Sequence, residues 1–156
     1  MYRLSTQDFA QIVRLTPLVA IDLILQDPEG HILLGLRNNE PAKGCYFVPG
    51  GIVFKNETIA NAFARILKAE TGLEIPFSDA RLLGAYEHIY ANNRLNEPGY
   101  GTHYVTLPHE VRLSSRSDIR SDDQHSEFRW MTPRDVLASP LVHENTKAYF
   151  RGTAQP

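Results

Sequence analysis

Residues 18–25 are apolar except for Asp22 and are rich in branched side chains, and no other stretch of the chain restricts the fold as strongly. Branched residues suit extended backbone, and a run with almost no polar position reads as a strand buried on both faces. Asp27, Pro28, Glu29 and Gly30 then form a turn signal and residues 32–36 resume the apolar run, which predicts a β-hairpin. Asp22 is the exception within it. A carboxylate facing inward from a buried strand needs a hydrogen-bonded partner.

Around this hairpin the punctuation is clear. Ser5, Thr6, Gln7 and Asp8 read as a capped helix start leading into Phe9, Ile12, Val13 and Leu15 before Pro17 stops it. Residues 46–48 predict a third short strand that runs into Pro49, Gly50 and Gly51. A helix is expected over about residues 57–71, with Asn56 as its N-cap and Gly72 as its C-terminal stop. Residues 82–90 and 103–113 read as two strands. The loop between them, residues 91–101, is rich in Asn, Gly and Pro and long enough to be a functional element. Residues 127–131 predict a last strand, and Thr132 followed by Pro133 opens a helical C-terminal segment. Strands with helices before, between and after them indicate an α/β (α+β) fold, a mixed β-sheet sandwiched between helices. At 156 residues the chain fits one domain, residues 1–156.

With 42% apolar and 22% charged residues the composition is that of a globular domain, not a disordered chain. The net charge of -2 gives no general attraction to nucleic acid or anionic lipid, so neither is expected as a partner, and any phosphate-bearing ligand has to be held by local groups. Cys45 is the single cysteine, which excludes an intrachain disulfide and is compatible with a reducing compartment. The first ten residues are polar and no later run approaches membrane-spanning length, so a cytoplasmic location is expected.

The predicted helix carries a carboxylate in the wrong place. At about 100° per residue, Ile59, Ala62, Phe63, Ile66 and Leu67 form one apolar stripe, and Glu70 falls in its middle. A buried carboxylate without a partner costs several kcal/mol, so Glu70 must be salt-bridged, protonated, exposed at the helix end, or bound to a cation. Its setting has a pattern: Gly51, Glu57, Arg65, Leu67, Glu70, Gly72 and Leu73 occupy the spacing G-x5-E-x7-R-E-U-x-E-E-x-G-U. On these residues the chain resembles the Nudix hydrolases. Ile66 and Ala69 stand where that pattern has two further acids. Positions 66, 69 and 70 share one helix face, so the change leaves one carboxylate where a cluster would hold several Mg²⁺ ions. One ion remains feasible, because Mg²⁺ commonly takes only one or two carboxylates.

This pair of losses, with Arg37, the segment from Tyr46 to Gly51 and the later Asp123, Gln124 and His125, resembles an atypical Nudix branch, the GDP-mannose mannosyl hydrolases. The resemblance implies a Nudix fold, a homodimer, one Mg²⁺ per subunit, and cleavage of the glycosidic carbon–oxygen bond of a nucleotide sugar by water with inversion. It also implies roles. His125 would be the general base, a task suited to an imidazole near pH 7, and Arg37 would neutralise the departing diphosphate. Gly50, Glu70 and Gln124 would hold the metal. Asp22, His88 and Tyr104 would surround the sugar, and Phe9 would stack on the base or help the dimer form. Glu57 and Arg65 are expected to support the loop and helix. Ordinary roles compete throughout: a solvent-facing His125, a strand-end Arg37, and His88 and Tyr104 as plain sheet residues. Ile52 replaces an Arg that the branch carries. Two other functions stay open, a conventional diphosphatase that cleaves a phosphorus–oxygen bond and a silent nucleotide-binding module.

Overall fold

The structure, a computed structural model, describes residues 4–116, 119 and 125–152, with His125 and Ser126 described by their backbone alone. Helix α1 (Thr6–Leu15) is opened by the Ser5 side chain, which accepts the Asp8 N–H. Strand β1 (Leu18–Gln26) follows at once and forms the spine of the sheet. Along its whole length it pairs in parallel with β7 (Thr102–Arg112), from Leu18 opposite Tyr104 to Gln26 opposite Arg112. Its hairpin partner β2 (Ile32–Arg37) meets it only at Gln26 and Ile32. Beyond that point β2 turns away to pair antiparallel with β8 (His125–Met131) and β3 (Tyr46–Phe47).

The predicted hairpin is therefore splayed, and one extended segment crosses the gap between its arms. After β3 on the β2 arm, Val48 and Pro49 carry the chain to β4 (Gly50–Ile52), which pairs with β1 through Ala20, Ile21 and Asp22. On the far side, β5 (Arg81–Leu82) and β6 (Tyr86–Tyr90) run antiparallel to β7 and complete an eight-stranded mixed sheet.

Successive side chains of a strand face opposite sides, and β1 uses both. Ile21, Leu23 and Leu25 pack with Ala62, Phe63, Ile66 and Leu67 of α2 (Ile59–Thr71). Ile24 faces the other way and packs with Leu34, Tyr46 and Val48, together with Val136 of α3 (Pro133–Ala138) and Tyr149 and Phe150 after α4 (Glu144–Ala148). The sheet lies between helices, with β1 buried on both faces. Each fully buried aliphatic side chain contributes roughly 1.5–3 kcal/mol.

Three local expectations are corrected. Helix α2 starts at Ile59 with Thr58 as its cap, not at Glu57 with Asn56. Asn56 has φ 65, a left-handed turn conformation that an extended N-cap position does not allow. Gly72, by contrast, ends the helix in the left-handed conformation its position suggested. The predicted strand over residues 82–90 is broken, since Gly84 has φ 132 between β5 and β6. Strand β4 was hidden by its glycine pair, which reads as a turn. Among the described residues no helix is long and apolar enough to cross a membrane.

Candidate active site

Residues paired side by side in a sheet share a face. Tyr104 pairs with Leu18 and His88, and Thr106 with Ala20 and Tyr86, so Asp22, His88 and Tyr104 all lie on the face turned away from α2. Tyr149 reaches over this face from the end of the chain. Its hydroxyl donates to Asp22 Oδ2 at 2.5 Å and lies 3.0 Å from His88 Nε2. Because the hydroxyl has one proton and gives it to Asp22, neutral His88 is assigned its proton on Nε2, donating to Tyr149. Nδ1 is then the acceptor, with the Thr106 hydroxyl 3.4 Å away. The result is a directed chain from Thr106 through His88 and Tyr149 to Asp22.

The electrostatics follow from this enclosure. Loss of water raises the Asp22 carboxyl to about 6, against the opposing Tyr149 hydrogen bond and the charge of Arg37. Burial drives His88 down to about 4, helped by the charge of His143. Tyr149 is pushed above its ordinary range by burial and by the Asp22 carboxylate.

Arg37 stands at the end of β2 with its guanidinium 5.1 Å from the centre of the Phe47 ring, which stacks at 4.7 Å on His143. Its charge acts on Asp22, Tyr90, Tyr104 and His143, so the structure brings Arg37 together with the polar sheet face. Across the β2–β8 ladder the residue opposite Arg37 is His125. The His125 side chain and all of Gln124 lie outside the described residues. Phe9 projects from α1, half-buried, into a cleft that it shares with Asn93, Arg94, Tyr100 and Tyr104.

Gly50 and Gly51 join the two faces. The bonds Leu23 N–H to Pro49 O and Val53 N–H to Val19 O fix the phase of the β1–β4 ladder, and Asp22 and Gly50 therefore form a non-hydrogen-bonded pair. The Gly50 carbonyl thus points away from β1, on the side where, among the described residues, β4 has no further strand. A Cβ at Gly50 would lie 2.4 Å from Asp22 Oδ1 and 2.7 Å from the Ile21 carbonyl, so only glycine fits there. On the α2 side a Cβ at Gly51 would lie 3.1 Å from Ile66, whose side chain is buried against it. Glu70 is buried one turn further along α2, whereas Ala69 is exposed. A backbone carbonyl and a carboxylate are hard oxygen donors, the kind a small divalent cation takes. Glu57 accepts two bonds at 2.7 Å from Arg65, whose guanidinium also bonds the Ile52 carbonyl at 2.9 Å and lies over the Phe54 ring. Glu57 in turn accepts the Phe54 N–H. This pair ties the turn before α2 to the helix, away from the polar sheet face.

Tyr149 and Thr106 were not singled out from sequence. Tyr149 is 127 residues from Asp22, and nothing local to either marks the contact. A separate group of candidate donors, Asp27, Glu29 and His31, gathers within 4.8 Å in the hairpin turn. Asp27 is already engaged there by Arg116, by the His31 ring, and by the N–H groups of Glu29 and His31. Burial would raise its carboxyl, but these partners outweigh that and hold it at about 2.

The comparisons with known proteins agree with this architecture. The NUDIX domain model matches residues 16–151. The Low-salt glycan biosynthesis protein Agl8 of Haloferax volcanii is 38% identical over 140 residues, which are 90% of this chain and 86% of that protein. An ADP-ribose pyrophosphatase of Methanocaldococcus jannaschii is 47% identical over 72 residues, 46% of this chain and 41% of that protein. The crystal structure of a MutT NUDIX hydrolase from Burkholderia pseudomallei superimposes with a TM-score of 0.70 at 28% identity, covering 86% of this chain and 96% of that one. A splayed hairpin bridged by a glycine pair, a following helix with a buried glutamate, and a model match over most of the chain together show that this protein belongs to the Nudix family of hydrolases, which generally use divalent metal ions.

Proposed function

We propose that the protein hydrolyses a nucleotide sugar, GDP-mannose or a close relative, to the nucleoside diphosphate and free sugar by attack of water at the anomeric carbon with inversion. The observation that carries this reading is Ile66, buried against Gly51 where the family signature has a carboxylate. With Ala69 facing solvent, α2 retains Glu70 for one ion and has no cluster for several. Leaving-group activation with a single ion suits departure of an intact diphosphate better than a multi-metal attack on phosphorus. A relative that shares 38% identity and is named for glycan biosynthesis supports a sugar-bearing substrate.

Gly50 and Glu70, with Gln124, would hold one Mg²⁺, which supplies charge neutralisation on the diphosphate. Arg37 adds a second positive group with a planar donor fork suited to phosphate oxygens. Asp22, His88 and Tyr104 offer hydrogen-bonding groups to sugar hydroxyls on the polar sheet face. His125, opposite Arg37, removes the proton from the attacking water. Phe9 offers its ring to the base, and Glu57 and Arg65 brace the loop. The protein acts as a homodimer. Incubation with GDP-mannose and Mg²⁺, followed by proton NMR, is expected to show β-mannose appearing first and GDP released. Formation of mannose 1-phosphate and GMP would overturn the proposal.

A second reading is favoured by the 72-residue match to an ADP-ribose pyrophosphatase. On that reading the chain cleaves a phosphorus–oxygen bond, and the same NMR experiment with ADP-ribose separates the two by yielding AMP and ribose 5-phosphate.

A further inference from the structure

We infer that Arg94, on the loop of residues 91–101, is a second substrate cation that brackets the diphosphate together with Arg37. The inference rests on the nucleotide-sugar reading and assigns a residue that the family signature does not contain.

The loop is built to hold that position. Asn93 is 1% exposed, and its amide donates to the carbonyls of Glu97 and Tyr100 at 2.8 and 2.9 Å while its oxygen accepts the N–H groups of Leu95 and Glu97. On the other flank the Thr102 hydroxyl donates to the Asn92 carbonyl at 2.9 Å. The backbone at Arg94 is therefore fixed from both sides although its own side chain is exposed.

Charge pairing points the same way. Arg14, Arg65, Arg81, Arg112, Arg116, Arg129 and Arg151 each have a carboxylate within ion-pair distance. Among the described residues Arg37, Arg94 and Arg134 have none, and of these Arg37 and Arg94 share a neighbour, Tyr104, on whose hydroxyl both charges act. Strand β4 supplies no cation to this face, since Ile52 stands opposite Ala20, and Arg65 is committed to Glu57 and the Ile52 carbonyl. Arg94 also lines the cleft formed by Phe9, Tyr100 and Tyr104. Arg94 and Arg37 thus both act on Tyr104, which shares its sheet face with Asp22 and His88, where the sugar is proposed to lie. Guanidinium groups suit a diphosphate because each can donate two parallel bonds to phosphate oxygens.

The test is calorimetric titration of the full chain with GDP in Mg²⁺, alongside guanosine binding followed by saturation-transfer NMR. Arg94→Ala is expected to weaken GDP about tenfold, the scale of a charge-assisted hydrogen bond, and to leave guanosine unchanged. Arg94→Lys should recover part of the loss. Arg134→Ala removes an exposed cation elsewhere and should leave GDP affinity intact. Unchanged GDP affinity in Arg94→Ala, equal losses for GDP and guanosine, or the same loss in Arg134→Ala would each overturn the inference while leaving the nucleotide-sugar reading in place. Failure of the wild-type protein to bind GDP at all would overturn that reading and Arg94's role with it.

Discussion

Asp22 and His88 share one hydroxyl, that of Tyr149, and are shifted in opposite directions by the same enclosure. His88 is lowered from 6.5 to about 4, so its contribution is present above pH 6.5 and is lost as pH falls toward 4. Asp22 is raised from 3.8 to about 6, so its contribution is present below 3.8 and is lost as pH rises toward 6. The two slopes oppose each other over nearly the same window. Asp22→Asn should therefore leave the loss from His88 uncompensated, and urea unfolding should show stability falling between pH 6.5 and 4 by about 2–3 kcal/mol more than in wild type. His88→Gln should tilt the profile the other way. Superimposable profiles for all three proteins would show that these groups are not enclosed as described. Gly50 belongs to the same neighbourhood. Because a Cβ there meets Asp22 and the Ile21 carbonyl, Gly50→Ala should cost about 1–3 kcal/mol, read as a lowered melting temperature.

At the scale of elements, α2 was legible in its body and misread at its start. The spacing of Ile59, Phe63, Ile66 and Leu67 fixed the buried face, and Gly72 marked the end. The start moved because Glu57 is turned back to the Phe54 N–H and to Arg65, an arrangement that no helical period encodes. Arg65→Ala leaves the half-buried Glu57 carboxylate without its ion-pair partner, and a loss of about 2 kcal/mol is expected in urea unfolding. Arg65→Lys keeps the charge without the fork and should recover only part of it. A loss below a few tenths of a kcal/mol in Arg65→Ala would mean the pair does not brace the turn. Strand β4 escaped detection for a related reason: two glycines read as a turn, and their need for close approach to Asp22 and Ile66 shows only once β1 and α2 are in place.

For the molecule as a whole, the apolar run at residues 18–25 foretold a strand covered on both faces, and helices do cover it. What composition and period could not show is that the hairpin splays, since β2 has apolar partners in β8 and β3 as well as in β1. The candidate site was legible where a residue breaks a pattern, as Asp22 does in its strand and Glu70 in its helix. It was not legible at Tyr149 or Thr106, each ordinary in its own segment and brought to the site by contacts far apart in the chain. The proposed chemistry depends on which bond water attacks. Hydrolysis of GDP-mannose in ¹⁸O-labelled water, analysed by mass spectrometry, tests this most directly: label in the free mannose is the expected result, and label in a phosphate product would contradict attack at carbon.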